Sequence, residues 1–145
     1  NRKNHGQSAA LIAMRLMKNM GATPDETAII ISAIGNHEEG VGDPVNPVAA
    51  ALILADKSDV HKTRVRNPDI LKYDIHDRVN YAVVKSFLKV IKDKKIISLQ
   101  LTIDMQISKV MEYFEIFISR MVMCRKAASF LKCSFELIIN DRKLL

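Results

Sequence analysis

Apolar residues recur at helical spacing through Ala9, Leu11, Ile12, Met14, Leu16, Met17 and Met20, and Gly21 stands at the C-terminal cap position. The pattern predicts a first helix over 8–20. Thr23-Pro24-Asp25-Glu26 supplies an N-cap, a proline in the first turn and a glutamate three residues after the cap, ahead of Ile29, Ile30, Ile31, Ala33 and Ile34. A second helix is expected to end near His37. After a loop from Glu38 to Asp43, Asn46-Pro47 repeats the cap-and-proline signal before the nearly all-apolar run Val48 to Asp56, which predicts a third, buried helix.

From about Val79 the period shortens. Leu88 and Val90 flank Lys89, while Ile97, Leu99, Leu101 and Ile103 alternate with Ser98, Gln100 and Thr102 across the polar turn Lys92-Asp93-Lys94-Lys95, as in a hairpin. Helical spacing returns over 108–132 with Val110, Phe114, Phe117, Ile118, Met121 and Leu131, followed by a last strand from Ser134 to Ile139 and a turn at Asn140-Asp141. The expected fold is mainly α: a helical bundle over 1–78, followed by a small α+β module over 79–145 whose three strands form an antiparallel sheet. In that sheet Phe114, Phe117 and Met121 should pack on Leu88, Leu99 and Leu101.

Composition narrows the class without adding a function. A chain that is 48% apolar and 26% charged is neither disordered nor fibrous. Two cysteines cannot build a disulfide framework or a four-thiolate zinc site, and no apolar run reaches bilayer length, so a cytoplasmic protein with no membrane partner is expected. The net charge of +6 lies wholly in residues 71–145. Its lysines lack interleaved aromatic residues, so they read as a solvated sheet face rather than a nucleic-acid surface.

The unusual polar residues lie in the first half. His5 precedes the first helix, His37 ends the second and Asp56 closes an apolar helix where an unpaired carboxylate is costly to bury. A bundle that brought them to one end would present two imidazoles and a carboxylate, a donor set suited to a divalent transition metal such as Mn, Fe, Co, Ni or Zn. Asp59, three residues beyond Asp56, would share its helical face and could orient a ligand or serve as a further acid. The same residues also read as a chain terminus, a helix-end cation and an exposed last turn.

Asn4-His5-Gly6 opening a helix, Asn36-His37-Glu38-Glu39 before a loop with Gly40 and Gly42, and Leu54-Ala55-Asp56-Lys57-Ser58-Asp59 together resemble the back portion of the HD-domain superfamily of metal-dependent phosphohydrolases. The resemblance covers about the first 65 residues. It implies an all-helical core with His5 and His37 as later histidine ligands and Asp56 as the terminal aspartate. That family also uses an earlier His and a His-Asp doublet, which the resemblance places upstream of Asn1. His76-Asp77 is a literal His-Asp pair but follows Asp56, and its Asp77 also fits a helix first turn capped by Asp74.

The implied function is metal-dependent hydrolysis of a phosphate ester such as a nucleotide through a metal-activated water. Lys57 and Asp59 are the expected catalytic side chains, and Lys62, Arg64 and Arg66 the expected contacts to substrate phosphate, with His61 nearby. Glu38 and Glu39 could orient a ligand or accept a proton. The alternative is a non-catalytic nucleotide- or partner-binding regulatory module on the same fold, using the hairpin and long helix to form a homodimer.

Overall fold

The computed structural model describes residues 4–66, 69 and 74–145. Three helices come first: α1 (His5–Asn19), α2 (Pro24–Gly35) and α3 (Pro47–Ser58). Their ends follow local chemistry. Thr23 and Glu26 form a reciprocal capping box on α2, the Asn46 side chain accepts from the Ala49 N–H on α3, and Gly21 takes φ +74° to stop α1. A single 3₁₀ turn (Lys62–Arg64) leads toward α4 (Ile75–Ala82), which Asp74 caps by accepting from the Asp77 N–H.

Then come β1 (Val83–Ile91), β2 (Ile96–Ile103), α5 (Val110–Phe130), β3 (Ser134–Ile139) and the two-residue β4 (Arg142–Lys143). The hairpin forms as its alternation predicts, pairing Leu88 with Leu99 and Val90 with Ile97. The expected three-stranded antiparallel sheet does not. The sheet has four strands in the order β1-β2-β3-β4, and β3 runs parallel to β2, with Leu99 opposite Leu137. The reason is the crossover. A helix of 21 residues spans about 30 Å and returns the chain to the end where β2 began, so the next strand repeats its direction. The fourth strand arises because Asn140 and Asp141 both adopt positive φ, closing a tight hairpin back along β3.

One buried cluster joins the helices to the sheet: Ala50, Ile53 and Leu54 of α3, Val79 of α4, Leu99 and Leu101 of β2, Tyr113, Phe117, Met121 and Cys124 of α5, and Leu137 of β3. Phe114 and Leu88 pack at its margin, only partly buried. In sequence of packing, α1 lies on α2, α2 on α3 and α3 on α5, and β1 also touches the end of α3, where Ser86 Oγ donates to the Ser58 carbonyl at 2.6 Å. Among the described residues no helix is long and apolar enough to cross a membrane.

Candidate functional site

The N-terminus of α1 has no cap of its own: Asn4 sits at φ 57° and its side chain caps nothing. Glu38 supplies the cap through space, accepting from the Asn4 N–H at 2.9 Å through Oε1 and from the Gly6 N–H at 3.1 Å through Oε2. A carboxylate at a helix N-terminus satisfies orphan donors and meets the positive end of the dipole. Helical geometry therefore begins at His5, a turn earlier than the apolar period alone predicts. Burial would raise the Glu38 carboxyl, but the Gly6 and Asn4 N–H groups, with His5 and His37, hold it below the usual carboxylate range.

Glu38 follows His37, so the same contact brings the two histidines together. Their Nε2 atoms stand 3.2 Å apart, with ring centroids 5.0 Å apart and planes at 78°. Each ring turns its other nitrogen to an acceptor: His37 Nδ1 lies 2.5 Å from the Ile34 carbonyl and His5 Nδ1 lies 3.5 Å from Glu38 Oε1. With Nδ1 turned to a backbone carbonyl, a neutral His37 ring keeps its proton on Nδ1 and presents the Nε2 lone pair. The 3.2 Å contact is then an N–H···N hydrogen bond from His5 Nε2 to that lone pair.

Gly42 makes the loop that carries Glu38 and Glu39 possible. A Cβ there would lie 2.1 Å from the Asn36 carbonyl oxygen, and its N–H closes the loop on the Glu38 carbonyl at 2.9 Å. The loop is then strapped to α5. Ser119 Oγ donates to Glu39 Oε2 at 3.0 Å, Arg120 Nε contacts Glu39 Oε1 at 2.9 Å, and Lys126 Nζ reaches Asp43 at 2.7 Å.

Beside it lies a second ionic group. Lys57 is 3% exposed and places Nζ 2.5 Å from Asp56 Oδ2 and 3.6 Å from Glu39 Oε1. Burial pushes the Asp56 carboxyl up, and the hydrogen bond and charge of Lys57, then His37 and Arg120, more than reverse it. Asp56 is thus ionised and electrostatically tied to His37. Cys124 faces the same charges, but burial raises its thiol to about 12, so it is no nucleophile at neutral pH.

No family model, curated protein or solved structure matches this chain. The site must be read from its own geometry. His5 and His37 meet, whereas Asp56 is paired with Lys57 and is linked to His37 through charge alone. Among the described residues, no three His, Cys, Asp or Glu side chains are grouped closely enough to hold a metal ion. Asp59 caps the end of α3 and pairs with Arg64, both half-exposed, while Lys62 and Arg66 lie exposed on and after the 3₁₀ turn. His61 contacts the Val84 carbonyl at 3.0 Å, which ties that turn to β1. His76 and Asp77 occupy the first turn of α4. The sequence reading missed Arg120. Its signal was present: it is the one basic residue between Lys109 and Arg125, set between the apolar residues Phe117, Ile118, Met121 and Val122.

Proposed function

We propose that this chain carries part of a divalent-metal site of a phosphohydrolase of the HD kind. The observation that supports it is the pair of opposed Nε2 atoms of His5 and His37, with His37 Nδ1 on the Ile34 carbonyl and His5 Nδ1 3.5 Å from Glu38 Oε1. That is the arrangement metal-binding imidazoles adopt when a neighbouring carboxylate or carbonyl fixes the tautomer. Among the described residues only the two imidazoles are grouped as donors: His5 and His37 would hold the ion through Nε2, and Asp56, kept ionised by Lys57, would have to move in to serve as the anionic partner. A bound divalent metal supplies a water of lowered pKa and neutralises charge on phosphoryl oxygens. Glu38 orients His5 and fixes the start of α1. Lys57 fixes one oxygen of Asp56 and keeps the other unobstructed by its own contact.

The engagement of Asp56 Oδ2 by Lys57 favours, as the second reading, a module that binds a phosphorylated ligand without hydrolysing it. One experiment separates the two. The chain is titrated with Co²⁺ or Mn²⁺ by calorimetry, then assayed for phosphate release from p-nitrophenyl phosphate and nucleoside phosphates. Hydrolysis predicts metal binding that His37→Ala abolishes and turnover that Asp56→Ala abolishes. Absence of metal binding, or turnover that survives both substitutions, overturns the hydrolase reading; metal binding without turnover leaves the binding module.

A further inference from the structure

We infer that Arg120, carried into the site by α5, binds the phosphoryl oxygens of the substrate. The inference rests on the phosphate-ester reading above and assigns the anion contact within it. Arg120 is fixed at two points. Nε contacts Glu39 Oε1 at 2.9 Å, and the guanidinium lies 4.6 Å above the Phe117 ring centroid. Glu39 is itself held by Ser119 and faces Lys57, so the arginine is anchored to a rigid group rather than to a mobile side chain. Its charge reaches Asp56, the same carboxylate that feels His37.

Those anchors use one edge and one face of the guanidinium. Among the described residues no hydrogen bond engages Nη1 or Nη2, and the side chain keeps 23% of its surface exposed. A planar pair of N–H donors matches two oxygens of a phosphoryl group, and a pre-positioned fork loses little freedom on binding. The chemistry also calls for such a group. Glu38, Glu39 and Asp56 surround the site with negative charge, and a phosphate ester entering it needs a fixed cation with donors to offer.

The other cations are less suited. The Lys57 side chain is 4% exposed and engaged by two carboxylates, and Arg64 is paired with Asp59 beside the 3₁₀ turn. Lys62 and Arg66 are exposed, and among the described residues no anchor holds them toward the histidines. The first half of the chain thus holds the candidate ligands, and the second half contributes the oxyanion contact.

The test is a calorimetric titration of the whole chain with inorganic phosphate at low salt, with and without Mn²⁺. Arg120→Gln should weaken phosphate binding by roughly tenfold or more, the loss of a charge-assisted pair. Arg120→Lys, which keeps the charge and can keep the Glu39 contact but lacks the fork, should weaken it by roughly threefold or more. Both variants should bind Co²⁺ as the unmodified chain does and give the same circular dichroism. If Arg120→Gln fails to fold, Arg120→Lys decides. Phosphate affinity unchanged in the folded variants overturns the inference, as does an unmodified chain that binds no phosphate under either condition. Failure of the metal reading shows separately, as Co²⁺ binding absent or indifferent to His37→Ala, and leaves the phosphate titration to judge Arg120.

Discussion

The Nε2 atoms of His5 and His37 face each other at 3.2 Å because Glu38, the residue after His37, caps the helix that His5 begins. The facing of the two imidazoles and the position of α1 therefore depend on one carboxylate. Glu38→Gln should lower Co²⁺ affinity by about 10- to 100-fold, the usual cost of losing a group that orients a ligand. It should also lower the melting temperature of the metal-free chain. An affinity equal to the unmodified protein would show that His5 is oriented without Glu38.

Lys57 changes the expected behaviour of an Asp56 substitution. A carboxylate kept for a ligand at some cost to packing would be replaceable by alanine without loss of the fold. In the structure the substitution strips the nearer counter-charge from an ammonium that is 3% exposed, with only Glu39 remaining at 3.6 Å. Asp56→Ala should cost about 3 kcal/mol, and Lys57→Met in the same chain should recover part of it, because breaking a buried pair is worse than replacing it. Urea denaturation of the single and double variants checks this; a double variant less stable than Asp56→Ala contradicts it.

Gly42→Ala should destabilise the chain by about 1–3 kcal/mol, since a methyl group there must displace the Asn36 carbonyl. The same substitution should weaken metal binding, because the displaced loop carries Glu38. Stability and Co²⁺ affinity both unchanged would mean that the loop relaxes without moving its carboxylates.

Phe117 is 2% exposed within the cluster that joins α3, α5 and the sheet, and its ring supports Arg120. Phe117→Ala should cost about 3–5 kcal/mol in chemical denaturation. A loss under about 1 kcal/mol would remove the ring from the core.

The Glu112 carboxyl is drawn down to about 2 by the Ser108 hydroxyl, then the Lys109 N–H and the Arg78 guanidinium, against the opposing effect of burial. A carboxylate depressed on folding stabilises the native state fully above its unfolded pKa, and that contribution is lost as pH falls through the folded one. The window here runs from the ordinary glutamate range near 4.5 down to about 2. Glu112→Gln should flatten the acid limb of the stability curve across that window, measured by urea titrations at successive pH values. An unchanged slope would refute the assignment.

Much of this protein is legible locally. The caps at Thr23, Asn46 and Asp74, the stop at Gly21 and the alternation through Ile97–Ile103 each involve neighbours a few residues apart, so the chain alone determines where α2, α3 and the hairpin lie and marks the first turn of α4, though α4 runs to Ala82, past the expected change of period at Val79. His5, His37 and Asp56 could be singled out for the same reason: a polar residue beside an apolar run stands out by its type. The direction of β3 could not. Alternation identifies a strand and its faces, whereas parallel pairing with β2 depends on where α5 returns the chain. Nor could the start of α1, which a carboxylate 34 residues away sets. Lys57 and Arg120 show the same limit most sharply. Nothing beside Lys57 announces that it will be buried, and Arg120 reaches Glu39 only because α5 packs on α3, across some 80 residues of intervening chain. Pattern and propensity act over a turn or two of backbone, while the pairing of charges in the site is decided by which helices share a core.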